Sequence, residues 1–105
     1  MPSHKKQSLA YLRVPDARRK LSEKIIAEHT AAVIMISDEL GIRTPAVYID
    51  AGACKKGYNK LISQIEHHIP KTLIIMDCDK HVVFENFNQT YFTAIDAIGA
   101  VEKVL

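Results

Sequence analysis

Four aspartates, one arginine and one lysine fall where three short apolar runs of the chain end. The first run closes with Arg13-Val14-Pro15-Asp16, the second with Asp50-Ala51-Gly52, and the third with Asp77-Cys78-Asp79-Lys80. Gathered on one edge, such residues suit two chemistries. Hard carboxylate oxygens suit a divalent cation, so Asp16, Asp50, Asp77 and Asp79 could serve magnesium-dependent phosphoryl transfer or accept a phosphoryl group. Arg13 and nearby lysines instead suit a phosphate or phosphodiester, with the carboxylates orienting the cations. A plainer explanation competes with both, because aspartates after strands cap turns and helices by local hydrogen bonding alone.

Other constellations carry less. No Gly-rich phosphate loop follows the first run, where the nearest glycine is Gly41, so ATP, GTP and NAD binding lose their usual signature. His67-His68 lies near the end of an expected helix, where cations suit the dipole. Neither Cys54 nor Cys78 belongs to a CxxC pair, and no structural metal or cofactor is expected. Cys54, beside Lys55 and Lys56, is the better thiol nucleophile candidate, yet no partner base can be named for it. Cations crowd the first quarter of the chain, where Arg18 and Arg19 join Lys20 and Lys24. With Lys55 and Lys56, Arg18 and Arg19 are the candidate phosphate contacts. A solvated helix face explains the same charges without a ligand.

Positioning these groups requires strands that end together. Ser8–Val14 is mostly apolar and stops at a turn, as a buried parallel strand does. Asp16 is a candidate N-cap for a long helix carrying Leu21, Ile25, Ala32, Ile36 and Leu40 on one face, with Gly41 as its stop. The stripe has a gap at Glu28 and His29, so a rival reading makes AAVIMIS a strand. No Gly or Pro interrupts the run and the phase is unbroken, which favours one helix. A second strand is expected at 46–50 (AVYID). Next comes an amphipathic helix bearing Tyr58, Leu61, Ile62, Ile65 and Ile69, closed by Pro70. TLIIMD (72–77) is the clearest buried strand, and HVVFEN (81–86) is divided between strand and loop. Tyr91, Ala94, Ile95, Ile98, Val101 and Leu105 mark a last helix, weakened by Gly99. Strands alternating with helices imply right-handed crossovers and a three-layer α/β fold, with a parallel sheet of at least three to four strands flanked by helices. Ligands of such sheets bind beyond the carboxyl ends of the strands.

The totals agree with this picture. A chain of 105 residues with 48% apolar and 25% charged residues has the composition and length of one globular domain, expected at 8–105 after a flexible basic segment, 1–7. No apolar run reaches the roughly 18 residues of a membrane span, and MPSHKKQS lacks the apolar core of a secretory signal. Two cysteines do not make a disulfide scaffold, so a cytoplasmic protein is expected. A net charge of +2 does not by itself indicate nucleic-acid binding.

Tyr11-Leu12-Arg13-Val14 resembles the opening strand of the serine recombinase catalytic domain, of the resolvase and invertase type. In that family a catalytic serine follows this strand. Its second strand ends in an acid and a glycine, as in Asp50-Ala51-Gly52. Its third strand ends in an aspartate-arginine pair with another arginine three residues on, where this chain has Asp79-Lys80 and Val83. The resemblance covers roughly residues 8 to 105 and implies a resolvase-like fold, with Arg13, Asp79 and Lys80 at residual catalytic positions. It also implies DNA or a homologous recombinase as partner, and a homo-oligomer. In the family the serine attacks a DNA phosphodiester and arginines stabilise the transition state. Here Pro15 takes the nucleophile's place and has no hydroxyl, Lys80 lacks the bidentate fork of arginine, Val83 carries no charge, and Cys54 replaces a loop serine. The expectation is a domain that has lost strand transfer and binds or regulates. The family's dimer-forming helix and DNA-binding domain have no counterpart before Leu105, which suggests an excised domain or a protein that kept only the core.

Overall fold

In the computed structural model, described over residues 8–15, 19–77, 80–85 and 93–105, four strands and three helices alternate almost as expected. The strands are β1 (Ser8–Val14), β2 (Ala46–Ala51), β3 (Thr72–Asp77) and β4 (Lys80–Phe84). The helices are α1 (Arg19–Leu40), α2 (Lys56–His67) and α3 (Ala94–Val104). The sheet order is β2-β1-β3-β4, with β1 parallel to both β2 and β3. Placing the first strand between the second and third reverses the winding direction at β1. The crossover helices then go to opposite faces, giving three layers.

The expected all-parallel sheet acquires one exception. β4 pairs antiparallel with β3, in a register that sets Asp77 opposite Lys80. Only positions 78 and 79 separate the two strands, and a link that short can only turn back as a hairpin. HVVFEN was divided between strand and loop because its residues are only partly buried at a sheet edge.

Two apolar clusters fill the spaces between layers. On one face, Leu9 and Tyr11 of β1 and Leu73 and Ile75 of β3 meet Leu61 and Ile65 of α2, with Ala97 and Val101 of α3. On the other, Ala10, Leu12, Ile74 and Met76 meet Val33 of α1. Strands buried on both faces explain why SLAYLRV and TLIIMD read as nearly unbroken apolar runs.

α1 is a single helix, so AAVIMIS is not a strand. Its buried face differs from the expected one. Val33 and Ser37 are the buried residues, Ala32 and Ile36 pack beside them, and Leu21 stands 50% exposed. Ser37 was overlooked because its polarity suggests solvent. Its hydroxyl donates to the Val33 carbonyl at 2.7 Å, which satisfies the buried oxygen. At the end of α1, Gly41 adopts φ +67° while its N–H bonds the Asp38 carbonyl and the Ile42 N–H bonds the Ser37 carbonyl. That pair of bonds is a Schellman stop, and it confirms Gly41 as the terminator.

His67-His68 stands at the end of α2, where the sequence placed it. His67 lies in the last turn of α2 with its Nδ1 2.7 Å from the Ser63 carbonyl, and His68 is the C-cap. α3 carries the expected Ala94, Ile95, Ile98 and Val101. Thr93 is its cap, and the Thr93 side chain and backbone exchange hydrogen bonds with Asp96 in a capping box. Tyr91, the Asp16 cap and segment 1–7 lie outside the described residues. No helix among the described residues is long and apolar enough to cross a membrane.

Gly99 sits inside α3 with nothing within 4 Å of the Cβ it lacks. Gly99→Ala should therefore stabilise the fold by about 0.5–1 kcal/mol through reduced chain entropy. Urea unfolding checks this, and an unchanged or lower midpoint refutes it.

Candidate functional site at the carboxyl edge of the sheet

The register of the four strands places one row of charged residues across the sheet. Asp50 of β2 is level with Arg13 of β1, Arg13 with Asp77 of β3, and Asp77 with Lys80 of β4. Directly paired residues project to the same face, so the row runs acid, base, acid, base on the side that carries α2 and α3. Adjacent strands stand about 4.8 Å apart, so each charge has an opposite neighbour within Coulombic range.

Asp50 is the best-satisfied group of the row and the most deeply buried, at 2% exposure. Its Oδ1 accepts the Gly57 N–H at 2.7 Å. Its Oδ2 accepts the Tyr11 hydroxyl at 2.7 Å and the Tyr58 N–H at 2.8 Å. Burial pushes the carboxyl up, but the bonds from Gly57, Tyr11 and Tyr58, with the Cys54 thiol, outweigh it and hold Asp50 below the ordinary carboxylate range. Gly57 and Tyr58 belong to the first turn of α2, whose cap residue Lys55 offers no side-chain bond. Asp50 thus caps the helix from the end of β2, and its charge meets the positive end of the helix dipole.

This capping demands a close approach. A Cβ on Gly57 would stand 2.8 Å from the Ile49 carbonyl oxygen and 3.1 Å from Asp50 Oδ1. Glycine is required here because the helix start rests directly on the strand end. The Gly52 N–H bonds the Val14 carbonyl at 2.9 Å, which ties the end of β2 back to β1.

Tyr11 links the acid to the base. Burial, followed by its bond to Asp50, pushes its phenol up to about 12, so it remains a neutral donor. Contact with the Tyr11 oxygen, ahead of a burial penalty, raises Arg13 above its already high value, and Asp77 and Asp50 add to the effect. Arg13 Nε is buried and has no hydrogen-bond partner among the described residues. Tyr58 packs edge-on to Tyr11 with ring centroids 6.1 Å apart, and its hydroxyl points to Glu102 of α3 at 3.5 Å.

Arg13 and Lys80 are therefore brought to one edge, with Asp50 and Asp77. Lys55 and Lys56 are exposed at the start of α2, and Cys54 is exposed beside them. Arg19 opens α1, while Arg18, Asp16, Cys78 and Asp79 lie outside the described residues. Val83 is on the other face of the sheet, packed against the cluster under α1. A side chain there would project away from Arg13, so the family's second arginine has no equivalent place in this row. Pro15 is exposed immediately after β1. The sequence reading identified Asp50 as an edge carboxylate and missed that Tyr11, Gly57 and Tyr58 complete its shell. The only available signal was the short spacing from Asp50 to Gly57, consistent with a strand end reaching the next helix.

The arrangement limits the chemistry of Asp50. Three hydrogen bonds already engage its two oxygens at 2% exposure, so a cation or a phosphoryl group would compete with the start of α2 for them. Among the described residues, no three His, Cys, Asp or Glu side chains stand together as a metal cage would require. No family model, curated protein or solved structure matches this chain.

Removing the acceptor orphans several donors at once. Asp50→Ala should cost about 3 kcal/mol, and Tyr11→Phe about 1–2 kcal/mol, measured by denaturant unfolding at neutral pH. Gly57→Ala should also destabilise, since its new methyl has backbone beneath it. Because the folded Asp50 is depressed, its contribution is complete above the unfolded carboxylate value and is lost as pH falls through the folded one. The acid limb of a stability–pH curve should thus flatten in Asp50→Asn. An unchanged limb refutes the assignment.

Proposed function

We propose that the chain is a resolvase-like domain that no longer transfers DNA strands and serves as a binding or regulatory module. The observation that carries the reading is Pro15, exposed one residue beyond the strand whose Tyr11 and Arg13 face the carboxyl edge. Family chemistry needs a hydroxyl there, and a pyrrolidine ring has no nucleophilic oxygen to form the phosphoserine link.

The electrostatics of the row support the loss of catalysis. Arg13 lies between two aspartates, and one of them is held in its ionised form as a helix cap. Its charge is already matched, so less field remains to stabilise a pentacoordinate phosphate. Lys80 adds one point charge opposite Asp77 and no planar fork. The row sums to zero formal charge, which leaves phosphate attraction among the described residues of this edge to the exposed Lys55 and Lys56. This balance favours a homologous recombinase over DNA as the partner.

Incubation with supercoiled DNA followed by denaturing electrophoresis should give no covalent protein–DNA adduct. Pro15→Ser should give none either, because the hydroxyl alone does not restore an uncompensated arginine pair. An adduct with the parent chain would overturn the reading.

A further inference from the structure

Five large apolar side chains are exposed among the described residues, and three of them, Leu21, Ile34 and Met35, belong to α1. Their exposures are 50%, 43% and 63%. They are not scattered around the helix. Lys20, Lys24, Ala27, Ala31, Ile34 and Asp38 are all exposed and follow one another at alternating steps of four and three residues. At about 100° per residue, that spacing keeps them on one solvent-facing stripe, centred about 120° around the helix from the buried Val33 and Ser37. Leu21 and Met35 flank the stripe on the same side. An alternating step of this kind is the seam of a two-helix coiled coil.

The charges along the stripe have a direction. Its amino-terminal third holds Lys20 and Lys24, with Glu23 on one flank, its centre holds Ala27, Ala31 and Ile34, and its far end holds Asp38, with Glu39 on the other flank. Two such helices laid antiparallel are complementary to themselves. Lys20 falls opposite Asp38 of the other copy, Ala27 opposite Ala31, and Lys24 opposite Ile34 with its ammonium one turn from Asp38. On the flank, Leu21 meets Met35. The alanines allow close approach at the axis, and the two helix dipoles run in opposing senses.

We propose that the solvent face of α1 is a homodimer interface, in which a second copy of this chain packs its α1 antiparallel across a two-fold axis between Ala27 and Ala31. The inference rests on the surface of α1 and is independent of the resolvase-like reading. A two-fold contact buries the same patch on both copies, and a stripe basic at one end and acidic at the other fulfils that requirement without an unlike partner. One contact opposes it. Glu28 lies on the flank beside the axis, where it approaches Glu28 of the other copy, and Lys24 one turn back only partly offsets this. The helix is about 33 Å long, and one helix pair of that length buries less than about 1,200 Å², so the dimer is weak and reversible.

Sedimentation velocity over a wide concentration range tests this. Concentration-dependent dimers should form, and should weaken at high salt. Reversing one end, as Lys20→Glu with Lys24→Glu, should weaken self-association about tenfold or more, as should Asp38→Lys with Glu39→Lys. Mixing the two reversed proteins should restore a dimer containing one of each. Glu28→Gln should act the opposite way and tighten the parent dimer. A monomer at every concentration overturns the proposal. So does a dimer that ignores both reversals, because its interface would lie elsewhere.

Discussion

The buried carboxylate of Asp50 is the interaction on which the edge of this fold depends. It collects a phenol from β1 and two backbone N–H groups from α2, so three elements meet on two oxygen atoms. Burial alone would favour the neutral acid. The donors reverse that preference, and the ion so created satisfies a helix start that has no side-chain cap of its own. Gly57 follows from the same demand, since no side chain fits where the helix touches the strand end. Tyr11 follows too, because a buried phenol needs an acceptor and this one has the strongest available.

From Asp50 the rest of the edge can be deduced as electrostatic consequence. A stabilised anion at the end of β2 makes a cation on the neighbouring central strand favourable, and Arg13 occupies that register position. A cation there in turn tolerates a second acid at Asp77, and the hairpin returns a lysine opposite it. The alternation has the residue types of an active-site rim and is at the same time charge-balanced across the sheet. Residue types at strand ends therefore left catalysis and capping equally open in the sequence, and only the hydrogen-bond partners of Asp50 separate them.

How far the sequence could be read depended on the kind of burial involved. Strands buried on both faces declare themselves, and Ser8–Val14 and Thr72–Asp77 were legible to the residue. The stop at Gly41 and the histidine-bearing end of α2 were legible because their cause is local backbone chemistry. The antiparallel β4 was only half legible, since an edge strand buries too little to impose a pattern. The face of α1 was misread for a related reason. Ala32 and Ile36 of the expected stripe do pack on the core, but Leu21 points outward and the buried centre falls on Val33 and the polar Ser37, so the expected face is turned away by part of a turn. The Asp50 shell was illegible as a unit, because its donors come from positions 11, 57 and 58 and two of them are backbone groups with no sequence signature.

That misreading of α1 is itself informative about where the molecule spends its specificity. A helix with a single partner needs one apolar face, and Val33 with Ala32 and Ile36 supplies it against the sheet. α1 carries a second, solvent-facing set of apolar residues, ordered by charge from one end to the other, which core packing does not require. At the carboxyl edge the reverse holds. There Asp50 is held by three hydrogen bonds and Arg13 stands in register between two acids, with its Nε buried and without a hydrogen-bond partner among the described residues. Exposed apolar surface among the described residues is thus concentrated on α1, whereas the carboxyl edge is polar and alternates in charge.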